Sequence, residues 1–339
     1  MKVHYGAVYP HHKAIHYLLS GNIHGFEISL STKSSGRHIW EQLYRFPDYG
    51  FAYNFTNLSN PKELGYAHGW FGFIEVPFFY KPGNNFMLSY QVDGGFTYIT
   101  NKFDIENNPL NLAISSAFNV YIGFDVIARF KIASKSELKT AFELTHYSNG
   151  KWRSPNLGLN SVCLSAAWLY SFSPSYMPRV AVRNDFEPKR NFYEIVFNGG
   201  FKRDDLLNEK LYRVSTVIFD YYHAHSLKYA YGAGFDFMFD ESLGPLKQHY
   251  EKTGYNYMDN YQTGAHIGFL VRYGKLNVLL NAGCYITANY FKYSRVFGRF
   301  GMRYALSKKI LLNFSIKSHY AIADYLEWGI GYRFNTSGK

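Results

Sequence analysis

The sequence predicts an all-β fold, a transmembrane antiparallel up-and-down β-barrel of about fourteen strands, within a range of roughly twelve to sixteen. Three observations predict it. Apolar and polar residues alternate with period two over long segments. Tyr (32) and Phe (30) dominate a chain of 339 residues that is 20% aromatic. No apolar run approaches the roughly 18 residues that would suggest a spanning helix. With 47% hydrophobic and 18% charged residues and a mean hydropathy of −0.25, the chain is too polar for a helical membrane protein and too aromatic for an average soluble domain. Tyr and Phe favour strands, and they populate the interfacial girdles of membrane barrels. A soluble sandwich would show the same local alternation, so segment length, segment number and aromatic content decide between the two.

Residues 1–22 precede the first expected strand. They contain no uninterrupted apolar stretch of signal-peptide length, so the chain is read as a mature form whose export signal has been removed. Strand candidates follow at 23–32, 48–57, 66–80, 85–100, 112–131, 137–149, 158–171, 190–203, 211–222, 226–239, 262–273, 275–287, 295–305, 308–319 and 324–333. This is an odd number, whereas single-chain bacterial barrels usually have an even one, which is why about fourteen is expected. The longest candidate is the clearest: Leu112, Ile114, Phe118, Val120, Ile122, Phe124, Val126 and Phe130 oppose Ser115, Asn119, Asp125, Arg129 and Lys131. Leu276, Val278, Leu280, Ala282, Cys284 and Ile286 likewise oppose Lys275, Asn277 and Asn281. The last strand sets Leu326, Trp328, Ile330, Tyr332 and Phe334 against Glu327 and Arg333, and a tail at 335–339 follows. It resembles the aromatic-ended final strand of bacterial outer-membrane barrels. Turn formers cluster at 59–65, 81–85, 184–190 and 240–260, the last long enough for an external loop. With no internal repeat or linker, residues 1–339 are expected to form one barrel domain.

The net charge of +11 would suit nucleic acid, but the basic residues are scattered and no nucleic-acid motif gathers them; an anionic lipid surface is the expected partner, with ordinary solvated loops the alternative. Cys163 and Cys284 fall on opposite faces of the wall, and no disulfide is expected. His223 and His225 share a face but lack a Cys or carboxylate at a diagnostic spacing, so no metal site is assigned, and no cofactor is implied. His11, His12 and His16 are read as solvated. The segment Tyr231-Gly232-Ala233-Gly234 is read as a strand bulge, because no Lys-Ser or Lys-Thr pair follows it as a phosphate loop requires.

The chemistry-bearing segment is ELTHYSNGKWRSPNLGLN, residues 143–160. Leu138, Thr140, Phe142, Leu144, His146 and Ser148 share one strand face, and Lys139, Ala141, Glu143, Thr145 and Tyr147 share the other. His146 and Ser148 therefore end an apolar stripe on the outer surface. After a turn rich in Gly and Pro, the next strand places Asn160, Val162, Leu164, Ala166 and Trp168 on one face. A hairpin pivoting near Arg153 brings Asn160 beside His146, where a side-chain oxygen can hold the imidazole in one tautomer. Ser148 then has a base, and the base has an orienting partner. Asn149 and the backbone amide near Gly150 are the expected oxyanion donors. Lys151 and Arg153 fit a contact with lipid phosphate, and a solvated turn is the simpler alternative. Phe142, Leu144, Val162 and Leu164 are expected to guide an acyl chain.

The string His146-x-Ser148-Asn149-Gly150, followed by Pro155-Asn156-x-Gly158-x-Asn160, resembles the signature of PagL-type lipid A deacylases and the related bacterial acyloxyacyl hydrolase-like barrels. The motif covers only a short part of the chain, which is far longer than the small PagL barrel. The resemblance implies an outer-membrane serine esterase that removes an ester-linked acyl chain from lipid A, with lipopolysaccharide or another outer-membrane lipid as partner. In that family the third member of the triad is a Glu; its position falls on Asn160 here, so a neutral amide replaces a charge. Glu143 faces the lumen and does not substitute. Three other readings stay open: a phospholipid-cleaving variant of the same site, a passive barrel, either porin-like or structural, and a soluble sandwich.

Overall fold

A computed structural model describes residues 1–10, 12–79, 83–172, 191–203, 210–291, 294–320 and 322–335. The expected turn at 184–190, part of that at 81–85, His11 and all but the first residue of the C-terminal tail lie outside them. Sixteen antiparallel strands are present among the described residues, and they close into two barrels of eight. The first comprises β1 (Lys2–Tyr9), β2 (Ile23–Lys33), β3 (Asp48–Asn57), β4 (Tyr66–Pro77), β5 (Phe86–Ile99), β6 (Phe118–Ala133), β7 (Ser136–Ser148) and β8 (Leu159–Tyr170). It closes through β1 against β8, from Lys2 opposite Ala167 to Tyr9 opposite Asn160. The second comprises β9 (Asn191–Lys202), β10 (Tyr212–Ala224), β11 (Tyr229–Asp240), β12 (Tyr261–Tyr273), β13 (Leu276–Ala288), β14 (Val296–Ala305), β15 (Ile310–His319) and β16 (Ile322–Asn335). It closes through β16 against β9, with Trp328 opposite Gly199.

In both barrels the alternation places apolar side chains outside and polar ones inside. On β7, Leu138, Phe142 and Leu144 are exposed whereas Glu143 and Tyr147 are buried; on β10, Phe219 and Tyr221 are exposed whereas Thr216 and Asp220 are buried. Buried charge is costly unless paired, and both lumens hold such pairs. In the first barrel Lys2 reaches Glu27 at 2.6 Å and Glu143 at 2.7 Å, while Arg129 reaches Asp48 at 2.8 Å and Glu75 at 2.6 Å. An apolar cluster including Phe71, Ile99, Ile114, Tyr121, Tyr147 and Leu159 fills another part of that interior. Tyr121 stacks on Phe71 with ring centroids 4.3 Å apart. In the second barrel Arg299 bridges Asp236 and Glu327, each at 2.7 Å. Arg303 pairs with Glu194 and with Asp220, and His266 stands between Asp220 and Asp236.

The single closed sheet expected over residues 1–339 is thus replaced by two closed sheets. Strand-local alternation is identical in one large or two small barrels; closure is set by the remote pairs β1–β8 and β9–β16, which leave no local pattern. β1 lies within residues 1–22, the segment expected to precede the first strand. It is short, and the charge on its inner face, Lys2, is answered only by residues far along the chain. The candidate at 112–131 begins later than expected, at Phe118, because the bonds of residues 111–116 go to loop backbone, to the β7–β8 turn and to side chains rather than to a ladder. Ile114 N–H donates to Asn111 Oδ1 at 3.1 Å, and Ser116 Oγ donates to Asn119 Oδ1 at 3.1 Å. The long loop at 240–260 contains α2 (Leu243–Glu251) and a 3-10 turn at Tyr257–Asn260; α1 (Ile39–Leu43) lies between β2 and β3. Both cysteines are free, Cys163 buried and Cys284 exposed.

Candidate active site on the outer wall of the first barrel

β7 and β8 pair in the register that the apolar stripes demand: Phe142 opposite Leu164, Leu144 opposite Val162, and His146 opposite Asn160. The outer face is open below the His–Asn pair, where Phe142, Leu144 and Leu164 expose 45%, 41% and 67% of their surface. The four residues expected to guide an acyl chain therefore form two adjacent cross-strand pairs leading up to His146.

His146 Nδ1 lies 2.6 Å from Asn160 Oδ1. An amide oxygen only accepts, so Nδ1 carries the proton and Nε2 is the basic nitrogen. Ser148 is the next outward residue of β7, about 6.6 Å further along the strand. It lies opposite Val120 of β6 and exposes only 5% of its surface.

The β7–β8 turn that follows the serine is docked on the segment before β6. Leu157 N–H donates to Leu112 O at 3.2 Å, and Gly158 N–H donates to Ala113 O at 2.9 Å. Asn149 is the knot of this turn. Its side-chain amide donates to Ser115 Oγ and to Arg153 O, both at 3.0 Å, and its backbone N–H donates to Asn156 Oδ1 at 3.2 Å. Those three bonds use all three of its N–H donors. Asn149 thus has no hydrogen left for the expected oxyanion role, since the hydrogens that would serve it close the turn. Among the described residues the Gly150 N–H has no partner, and Gly150 and Lys151 adopt φ of 60° and 70°. Lys151 is half-exposed, and Arg153 is exposed with its carbonyl tied to Asn149.

Gly158 packs closely against His146 and Ser148. Its φ is +75°, and a Cβ there would lie 3.1 Å from His146 Cε1 and 3.6 Å from Ser148 Cβ. Asn111 anchors the docking segment by donating to Glu63 O at 3.0 Å and Asn101 O at 3.1 Å. Nearby, Asp104 accepts from the backbone N–H groups of Asn107 and Glu106, which hold its carboxyl below the usual carboxylate range. The sequence reading brought His146, Ser148 and Asn160 together but missed Asn111, Ser115 and Tyr9, the last placed beside Asn160 by barrel closure. Asn156 and Gly158 were in the motif string without a role; the Gly after a Pro-containing turn was the available signal.

Two family models match the chain in succession. The one described as lipid A 3-O-deacylase (PagL) matches residues 24–168, and the one described as acyloxyacyl hydrolase, C-terminal domain, matches residues 191–336. The first covers β2–β8 with the whole His146–Asn160 segment, and the second covers β9–β16. No curated protein matches the chain. Among solved structures, a mutant of Rh. blastica porin aligns at 10% identity over 98% of this chain and 98% of its own, with a TM-score of 0.19. The FrpB iron transporter from Neisseria meningitidis aligns at 8% identity over 92% of this chain and 63% of its own, with a TM-score of 0.22. Superposition at that level carries no argument about this chain. The two successive family matches, which together take in nearly every strand and the His146-x-Ser148 motif, place the chain in the PagL-type lipid A deacylase and acyloxyacyl hydrolase-like family of barrels.

Proposed function

We propose that the protein is a bacterial outer-membrane serine esterase that removes an ester-linked acyl chain from lipid A, with Ser148 as nucleophile, His146 as base and Asn160 as the residue orienting the base. The observation that carries this reading is the 2.6 Å His146–Asn160 bond at the head of an exposed apolar stripe. In the proposed reaction His146 Nε2 takes the Ser148 proton as Oγ attacks the ester carbonyl. The developing oxyanion is received by the Gly150 N–H, the donor left unpaired when Asn149 is used in the turn. Collapse expels the sugar hydroxyl, which takes its proton from His146. Water, deprotonated by the same imidazole, then releases the acyl chain from Ser148 as a fatty acid. The outward stripe of Phe142, Leu144, Val162 and Leu164 faces lipid in this reading and holds the chain being cleaved. Lys151 and Arg153 serve the headgroup phosphate.

A slow or inactive relative is the second reading, favoured by the 5% exposure of Ser148 and by the neutral amide at Asn160. Labelling with a fluorophosphonate separates the two. The proposed function predicts covalent labelling of the folded protein that is lost in Ser148→Ala and in His146→Ala; an unlabelled wild-type barrel would sink it.

A further inference from the structure

The second barrel repeats the His–Asn pair of the first and places a different residue beside it. Asn191 opens β9 and His223 stands one residue from the end of β10, directly opposite each other, with Nδ1 and Oδ1 2.8 Å apart. As in the first barrel, the imidazole is half-buried on the outward face near a strand end. Two residues on, where the first barrel has Ser148, the second has His225. Because Asn191 Oδ1 only accepts, the His223 proton sits on Nδ1 and its lone pair on Nε2. A metal-ligating imidazole has this arrangement, its outer N–H held by an oxygen and its other nitrogen open. Tyr231, opposite His223, packs against both rings, with centroids 5.3 Å from His223 and 6.1 Å from His225. Among the described residues His225 makes no hydrogen bond and His223 makes none beyond that to Asn191.

We propose that His223 and His225 form a two-imidazole site for a borderline divalent transition-metal ion of the zinc, nickel or copper class, with Asn191 as the residue that orients His223. Imidazole nitrogen suits these ions. Oxygen-seeking Ca2+ and Mg2+ find no partner there, because no carboxylate joins the pair among the described residues. Two protein donors leave coordination positions for water or an anionic ligand. The sequence reading set the pair aside for want of a third donor; the added observation is the Asn191 bond, which is invisible until β9 and β10 are in register.

The test is calorimetric titration of Zn2+ into the full folded chain in detergent, comparing wild type with His223→Ala, His225→Ala and Asn191→Ala, each checked for folding by heat-modifiable gel mobility. The tightest zinc event of the wild type should vanish in both histidine variants and weaken about tenfold in Asn191→Ala. Cu2+ bound to the wild type should show nitrogen hyperfine coupling from two imidazoles by electron paramagnetic resonance, and from one in His225→Ala. The proposal is overturned if folded His225→Ala takes up zinc as the wild type does, or if the wild type takes up no more than the His223→Ala/His225→Ala double variant.

Discussion

Replacing Asn160 by Asp changes one atom of the proposed site's orienting residue. The side chain keeps its shape, so an oxygen remains 2.6 Å from His146 Nδ1, but the partner of the imidazole becomes a carboxylate. The charge matters only once His146 has taken the Ser148 proton. At a separation near 4 Å and an effective dielectric of about 20, a unit pair is worth about 4 kcal/mol. His146 and Asn160 are both half-exposed, and solvent screening cuts this to about 1–2 kcal/mol. The expected result is a rise of about 5- to 30-fold in kcat with KM nearly unchanged, since the stabilised charge exists in the transition state and not in the bound substrate. The assay is fatty-acid release from lipid A in mixed micelles by wild type and Asn160→Asp at equal folded yield. An unchanged or lower kcat in the folded variant would refute the assignment of Asn160 as the residue that faces the imidazolium.

Gly158→Ala places a methyl 3.1 Å from His146 Cε1 at a φ of +75°, and should lower kcat about tenfold while reducing stability by about 1–2 kcal/mol, read by micelle assay and urea titration. Arg299→Ala leaves Asp236 and Glu327 buried without their guanidinium partner and should destabilise the second barrel by about 3–5 kcal/mol, seen as a lower urea midpoint than wild type. Because both lumens are crossed by ion pairs, reconstitution in planar bilayers should give no resolvable conductance steps; steady porin-like steps would show that the charged interiors open.

The β7–β8 hairpin was legible because each of its signals is local. Apolar alternation fixes which face Leu144 and His146 share, and Gly150, Pro155 and Gly158 mark the turn, so the pairing of His146 with Asn160 follows from counting. What escaped depends on contacts remote in sequence. Lys2 marks an inner face only once Glu27 and Glu143 surround it, so β1 is not legible as a strand within residues 1–22 and neither is its closure onto β8. Residues 112–117 continue the alternation of β6, yet the carbonyls of Leu112 and Ala113 serve the β7–β8 turn instead. Asn149 follows the serine, as an oxyanion donor would, but Ser115, 34 residues earlier, claims one of its amide hydrogens. The polar lumens were expected; their division between two barrels was not, since no single strand records which partner closes the sheet.

Cleavage of a lipid A ester by Ser148 on the outer wall of the first barrel is open to mass spectrometry of lipid A and phospholipids from outer membranes carrying wild type or Ser148→Ala, matched for folded yield. Lipid A should be lighter by one acyl chain with wild type alone, and phospholipids unchanged in both. Identical lipid A from the two proteins would rule the proposed esterase out.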